Sequence, residues 1–150
     1  VVLVSGDPKT QDARTNFQLL ADLPVSIITM DGTEEDTLEQ GDMPDVLVDA
    51  MFGTGFHGVM RGNALKAAEY INNCHEEHGK KVFALDIPSG LGGDQLKKKK
   101  ISCEIIKADY TITFHARKPV HMRRFAARYC GEILVADIGI DEEKLMTVEI

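Results

Sequence analysis

The sequence predicts an α/β protein with a mainly parallel, doubly wound sheet and helices on both faces. Short apolar runs alternate along the chain with helical patterns or long connections, so successive strands do not form hairpins. Right-handed crossovers between parallel strands then place the connecting helices on both sides of the sheet. A length of 150 residues, with no internal repeat or linker, predicts a single domain over residues 1–150.

The first half of the chain contains two predicted strands and one predicted helix. Val1–Pro8 is a short apolar run closed by turn residues, and Val25–Thr29 is a second strand. Between them, an amphipathic helix is predicted over Gln11–Leu23. Its apolar positions recur at helical spacing: Ala13, Phe17, Leu20 and Ala21. The acidic, polar stretch Asp31–Gln40 predicts a short exposed helix or a loop.

The second half contains four predicted strands: Val46–Asp49, Val82–Asp86, Tyr110–Phe114 and Ile133–Ala136. A helix between the first two has one apolar face: Ala64, Ala67, Ala68, Ile71 and Cys74. Gly79 is placed to end this helix. Gly92–Ser102 is the most loop-like stretch of the chain. A last set at helical spacing predicts core positions: Met122, Phe125, Ala126 and Tyr129.

Composition excludes some classes of function. The formal net charge of −7 argues against unspecific binding to nucleic acid or to an acidic membrane surface. The one dense basic run, Lys97–Lys100, is typical of a solvated loop. Cys74, Cys103 and Cys130 are odd in number and form no CxxC pair, which predicts neither a disulfide framework nor a zinc site.

The cellular compartment is inferred from the cysteines and from the start of the chain. The cysteine pattern suits a reducing environment, so we expect a cytoplasmic protein. No apolar run is long enough to span a bilayer. Because the chain begins with Val1, inside a strand-like run, we expect it to be N-terminally incomplete, which leaves a mitochondrial or other targeting segment open.

The chemistry of the chain is predicted to centre on Asp86. The apolar strand before it is followed by Pro88 and Gly90, which end the strand and turn the backbone sharply. Asp86 and Ser89 therefore lie at the carboxyl end of a parallel strand, where open α/β sheets bind their ligands. The competing interpretation is that Asp86 only caps a turn or the next helix.

A glycine-rich loop follows the other strand that ends in a carboxylate, at Asp49. Gly53, Gly55 and Gly58 lead towards a helix that begins near Gly62 or Asn63. Such a loop lets backbone N–H groups approach a phosphate closely. Its spacing matches neither the dinucleotide fingerprint nor a P-loop. If the two strands are neighbours, both carboxylates and the loop converge on one mouth.

Four stretches, in this order and spacing, resemble the NAD(P)H-hydrate epimerase family, the YjeF-type N-terminal domain: DAMFGTGFHG, LDIPSGLGGD, KADYTITFHARKP and CGEILVADIGI. The resemblance implies a Rossmann-like fold, a homodimer, and interconversion of the R and S forms of hydrated NADH and NADPH as metabolite repair. It also implies a fused or separate dehydratase that restores the S form to the normal cofactor.

Residue roles carry over from the resemblance by matching motif. Asp86 would be the acid/base residue that contacts the substrate, and Asp49 and Ser89 would bind a potassium ion. The substrate-binding loop would comprise Gly53, Thr54, Gly55, Phe56, His57, Gly58 and Val59. The family's NNGGD loop, a further source of potassium and substrate contacts, has no counterpart in this chain.

Two other classes of function remain open from the sequence. Relatives of this domain are linked to apolipoprotein A-I binding, so a protein-binding module is one alternative. A nucleotide-binding oxidoreductase domain is disfavoured because no dinucleotide fingerprint follows a first strand. His115, Arg117 and Lys118 follow a strand end, where they either contact substrate phosphates or form ordinary surface charge. His57 is better explained as a solvated loop residue, and His75 and His78 as partners of a helix C-terminus.

Overall fold

The strands form two parallel sheets in the computed structural model, which describes residues 2–4, 6–30, 43–95 and 104–140. The smaller sheet pairs β1 (Val2–Val4) with β2 (Ile27–Thr29). Within the described ranges no strand joins this pair to the larger sheet. The α/β class and the parallel pairing are confirmed, and the strands of the described residues fall into two sheets where the prediction had one. The stretches Asp31–Gln40 and Lys97–Lys100, with Cys103, lie outside the described residues.

The larger sheet has the order β3, β4, β5, β6, and every pairing in it is parallel. Its strands are β3 (Val46–Asp49), β4 (Lys81–Leu85), β5 (Tyr110–Phe114) and β6 (Glu132–Ala136). These bounds agree to within one residue with the four strands predicted for this half: β4 and β6 each begin one residue earlier, and Asp86 lies just beyond β4. All carboxyl ends therefore meet at one edge, and the residues that follow β3, β4 and β5 are neighbours there.

Three α-helices are found in the described ranges. α1 (Gln11–Leu19) has Thr10 as its N-cap, whose hydroxyl accepts a hydrogen bond from the Ala13 N–H. The helix continues into a 3₁₀ turn at Leu20–Asp22. No side chain of α1 is buried, so the predicted amphipathic helix forms but buries no core face here. α2 (Asn63–His78) ends as predicted at Gly79, which has the left-handed φ of 64°. α3 (Ala127–Cys130) is a single turn.

One face of the larger sheet carries the main core. Leu47 of β3 pairs with Val82 of β4, and both are buried with Ala68 and Ile71 of α2. Val46 and Val48, on the opposite face of β3, are 50% and 56% exposed. A nearly continuous apolar pattern predicts burial on both faces, but β3 and β4 alternate in burial because α2 covers only one face.

A second cluster joins the segments after β4 and β5. Ile87 and Leu91 pack with Val120, Ala126 and Tyr129, beside other buried residues. The prediction that Ala126 and Tyr129 belong to the core is confirmed, and Phe125 packs against it. The prediction for Met122 is wrong, because a 3₁₀ turn at Pro119–Met122 replaces a continuous helix and leaves that side chain 67% exposed. None of the described helices is long and apolar enough to cross a membrane.

Candidate active site

The ends of β3 and β4 bring Asp49 and Ser89 into direct contact. Asp49 is the last residue of β3 and is 1% exposed. Its Oδ1 accepts a hydrogen bond from the Ser89 hydroxyl, and its Oδ2 accepts one from the Ser89 N–H, both at 2.7 Å. The Met51 N–H donates to Oδ1 at 3.3 Å. The carboxylate is thus held by groups from the two loops that the sequence predicted to converge.

The electrostatics of Asp49 are those of a buried acid without a basic partner. Burial raises the pKa of Asp49, and the hydrogen bonds from Ser89 and Met51 only partly oppose this. No lysine, arginine or histidine of the described residues acts on its carboxylate. A buried carboxylate in this state is costly to ionise, so a cation beside it would be favourable.

Asp86 is held at the site by a strained turn. The residue has a φ of 66°, and the Ile87 N–H donates to the Leu85 carbonyl across it at 2.9 Å. This is the γ-turn with positive φ, which is rare and strained. Aspartate tolerates the left-handed region better than most residues. The Asp86 N–H also donates to the Ile112 carbonyl of β5 at 2.7 Å, which fixes the turn against the sheet.

The Asp86 carboxylate, unlike that of Asp49, has a basic partner. The Lys118 ammonium lies 2.6 Å from its Oδ1, and the Thr113 hydroxyl donates to the same oxygen at 3.1 Å. Burial acts to raise the pKa of Asp86, but the hydrogen bond and charge of Lys118 outweigh it, with help from Thr113 and the Phe114 N–H. The net pKa is lowered, so Asp86 is ionised at neutral pH.

The glycine loop lies against the other oxygen of Asp86. A Cβ atom built on Gly53 would be 3.4 Å from Asp86 Oδ2. The Phe56 N–H donates to the Gly53 carbonyl, which closes a turn, and the Phe52 and Phe56 rings pack with their centroids 4.7 Å apart. The Phe52 N–H donates to Ser89 Oγ at 3.1 Å, and the Ser89 hydroxyl donates to Asp49, so the start of the loop is also linked to the Asp49 carboxylate.

The outer part of the loop is more open than its beginning. Thr54, His57, Gly58 and Val59 are exposed, as is Gly55. Gly58 has a φ of 111°, a conformation that favours glycine. The structure therefore brings Gly53 to Asp86 and leaves the exposed residues of the loop facing solvent.

Two members of the site were not assigned to it from the sequence. Lys118 was placed at the mouth as a possible phosphate ligand or surface charge, and Thr113 was not singled out. The sheet register, which the sequence does not show, brings Thr113 to the site: Leu85 pairs with Ile112, and continuing this register sets Asp86 beside Thr113. Among the described residues no three histidine, cysteine, aspartate or glutamate side chains gather into a metal site. A cation at Asp49 would therefore rely on hydroxyl and carbonyl oxygens for further ligands.

Comparisons with known proteins agree on one relationship. The family model described as YjeF-related protein N-terminus matches residues 1–120. The chain is 36% identical over 143 residues to the bifunctional NAD(P)H-hydrate repair enzyme Nnr of Archaeoglobus fulgidus, covering 94% of this chain and 27% of that protein. It is 32% identical over 147 residues to the NAD(P)H-hydrate epimerase of Nitrosopumilus maritimus, covering 95% of this chain and 61% of that protein. The crystal structure of yeast ynu0, YNL200c, is similar in fold, with a TM-score of 0.58 at 21% identity over 80% of this chain and 48% of that chain.

Proposed function

Since the chain belongs to the family of YjeF-related protein N-termini, we propose that it interconverts the R and S forms of hydrated NADH and NADPH. The names of the relatives support this activity, although the chain spans only 27% and 61% of the two relatives described above. The S form would pass to a dehydratase, fused or separate. The bifunctional repair enzymes among the relatives are consistent with the fused arrangement.

The observation that carries the proposal is the placement of the Asp86 carboxylate. It is 15% exposed, it is ionised at neutral pH, and its Oδ2 faces the start of the glycine loop. A base must lie within hydrogen-bond reach of the proton that it removes. A substrate held by the backbone of the loop would present the hydroxyl on its reacting carbon to this oxygen.

The proposed reaction inverts a carbon that carries the added hydroxyl and is bonded to the ring nitrogen. Asp86 takes the hydroxyl proton while the carbon–nitrogen bond breaks, which leaves an aldehyde and an electron pair on nitrogen. The nitrogen then attacks the other face of the aldehyde carbon. Asp86 returns the proton to the new hydroxyl, so no further reactant is needed. The alternative route, departure of the hydroxyl, would need a protonated acid at the start, which the lowered pKa of Asp86 disfavours.

We also propose that Asp49 and Ser89 hold a potassium ion. The donor set is suitable, because a carboxylate and a hydroxyl are oxygen ligands and the carboxylate has no basic partner in the described residues. When bound, the ion would supply positive charge beside the glycine loop. We expect potassium chloride to raise the thermal midpoint of the protein above that in lithium chloride of equal ionic strength, and Asp49→Asn to remove the difference. Equal midpoints in the two salts would contradict a potassium site.

The activity is tested by Asp86→Asn in the complete protein. Asparagine tolerates the left-handed backbone and can still accept a hydrogen bond from Lys118, so the fold should persist. It cannot take up the proton, so turnover should fall by about 10²- to 10⁴-fold. The assay follows R-to-S interconversion by liquid chromatography, beside thermal melting. Near-normal turnover with a lowered melting point would instead make Asp86 a structural residue.

A further inference from the structure

We infer that Lys118 is a positioning residue for the proposed epimerisation: it holds Oδ1 of Asp86 so that Oδ2 is presented to the substrate beside Gly53. The inference rests on the proposed function and goes beyond it, because it assigns a role to a residue outside the predicted site. It also replaces the two roles that the sequence left open for Lys118, phosphate ligand and surface charge, with a third.

The hydrogen bonds of Lys118 leave it no capacity for a phosphate. An ammonium group has three N–H donors. Its Nζ lies 2.6 Å from Asp86 Oδ1, 3.0 Å from Thr113 Oγ1 and 2.8 Å from the Phe114 carbonyl. These three acceptors satisfy all three donors. The side chain is also only 19% exposed, unlike a lysine that reaches into solvent for a ligand.

The backbone around Lys118 is built to hold the ammonium in place. Pro119 follows it at the first position of a 3₁₀ turn, and the Lys118 N–H donates to Nδ1 of the buried His121 at 3.1 Å. On the other side, His115 has a φ of 66°, and the Ala116 N–H donates to the Phe114 carbonyl across it. This tight turn brings the chain back from β5, so Lys118 reaches the end of the strand that it follows.

The two oxygens of the Asp86 carboxylate have different surroundings. Oδ1 accepts from both Lys118 and Thr113, while Oδ2 is the oxygen that faces Gly53. A carboxylate fixed by two donors on one oxygen loses rotational freedom about its last bond. The reacting oxygen is then oriented before the substrate binds, which is the usual benefit of preorganisation.

Other charged groups around Asp86 do not replace Lys118. His121 interacts with Asp86 from the 3₁₀ turn, but burial, and then the charge of Lys118, lower the pKa of His121, so the ring is neutral at pH 7. Arg117 acts on His121 rather than on Asp86. Asp49, at the end of the neighbouring strand, is itself an acid and so cannot act as a cationic partner of Asp86. Among the described residues, Lys118 is therefore the cation that lowers the pKa of Asp86 against the effect of its burial.

The test compares Lys118→Met with Lys81→Met in the complete protein. Methionine keeps the length and the apolar stem of lysine without its charge. Lys81 is the matched control, because its ammonium also lies 2.6 Å from a carboxylate, that of Asp109, at the opposite end of β4. We expect Lys118→Met to lower kcat by about 10²-fold, since small errors in the placement of a reacting group have effects of this size. KM should change less than about threefold, and Lys81→Met should leave both unchanged. Lys118→Arg should recover part of the lost kcat.

A second readout does not depend on activity. We expect ¹³C NMR of the Asp86 carboxyl to titrate at higher pH in Lys118→Met than in the wild type, and at the same pH in Lys81→Met. A raised KM with unchanged kcat would make Lys118 a phosphate ligand and overturn the inference. An unmoved Asp86 titration would overturn it as well. If the wild type lacks epimerase activity while the titration still moves, the proposed function fails but the hold of Lys118 on Asp86 is supported.

Discussion

A single methyl group added at Gly53 tests whether Asp86 Oδ2 is the reacting oxygen. A Cβ atom at this position would lie 3.4 Å from Oδ2, with no other heavy atom within 4 Å. The φ of Gly53 is not positive, so alanine is compatible with the backbone. The substitution should therefore leave the fold unchanged and place a methyl group against the carboxylate.

The expected effect on catalysis follows from the distances involved. A hydroxyl that gives its proton to Oδ2 must approach to about 2.5–3.0 Å. A methyl group in van der Waals contact with the same oxygen covers one of its sides and pushes the substrate hydroxyl away. We expect Gly53→Ala to lose most of the contribution of the base, about 10²-fold in kcat/KM. The free energy of unfolding should change by less than about 1 kcal/mol, because loop substitutions of glycine by alanine have effects of this size.

Gly55→Ala is the matched control from the same loop. Its φ is likewise not positive, and a Cβ atom there would meet nothing within 4 Å. Both variants should be compared with the wild type by the rate of R-to-S interconversion and by urea unfolding. Equal activity of the two variants would refute the assignment of Oδ2, since a general effect of loop stiffness would act on both. Loss of stability in Gly53→Ala alone would show that the loop cannot accommodate the methyl group as argued.

Three further predictions concern stability. Ser89→Ala removes the donor to Asp49 Oδ1 and the acceptor of the Phe52 N–H, so we expect the free energy of unfolding, measured with urea in potassium-free buffer, to fall by about 3 kcal/mol. The control is Ser26→Ala, because Ser26 is exposed. Equal effects of the two substitutions would contradict a stabilising Asp49–Ser89 pair. The lowered pKa of Asp86 means that its pairing with Lys118 stabilises the fold above the unfolded carboxyl pKa of about 3.9 and is lost as pH falls through the folded pKa. Lys118→Met should therefore destabilise the protein at pH 7 but not in strong acid, and a pH-independent difference in unfolding free energy would speak against the ion pair. Gly131→Ala and Gly62→Ala share a φ of 56°, but only the first puts a Cβ into steric overlap with a backbone oxygen, that of Asp109. Gly131→Ala should thus prevent folding while Gly62→Ala costs about 1–3 kcal/mol, and similar melting points would show that the contact at Gly131 relaxes.

Much of the larger sheet was predictable because its strands are short, largely apolar runs with a polar residue at the end or directly after it. The same logic predicted that the residues after the Asp49 and Asp86 strands would converge if those strands were neighbours, since the carboxyl ends of parallel strands share one edge. The two strands do pair, and Ser89 contacts Asp49 directly. The helix over Asn63–His78 was predicted with its end at Gly79, because glycine alone adopts the left-handed φ there without strain.

What could not be predicted depends on contacts that the local pattern does not contain. The apolar positions of α1 indicate a buried face, yet whether a face is buried depends on what packs against it. The exposure of Met122 follows from a 3₁₀ turn at Pro119, which interrupts the helical spacing. The pairing of Lys118 with Asp86 needs both the sheet register and the turn at His115, and neither is set by the residues near Lys118 in the sequence.

The surroundings of the two acids at the sheet edge shift their pKa values in opposite directions. Asp49 is enclosed with hydrogen-bond donors but no basic side chain from the described residues, and burial raises its pKa. Asp86 is less deeply buried and is paired with Lys118, which lowers its pKa. Two neighbouring acids whose pKa values are shifted in opposite directions commonly have different roles in a site, one of them in proton transfer. In the proposed mechanism, Lys118 keeps Asp86 ionised, so that it can accept the proton, and a potassium ion would supply the positive charge that no described residue places beside Asp49.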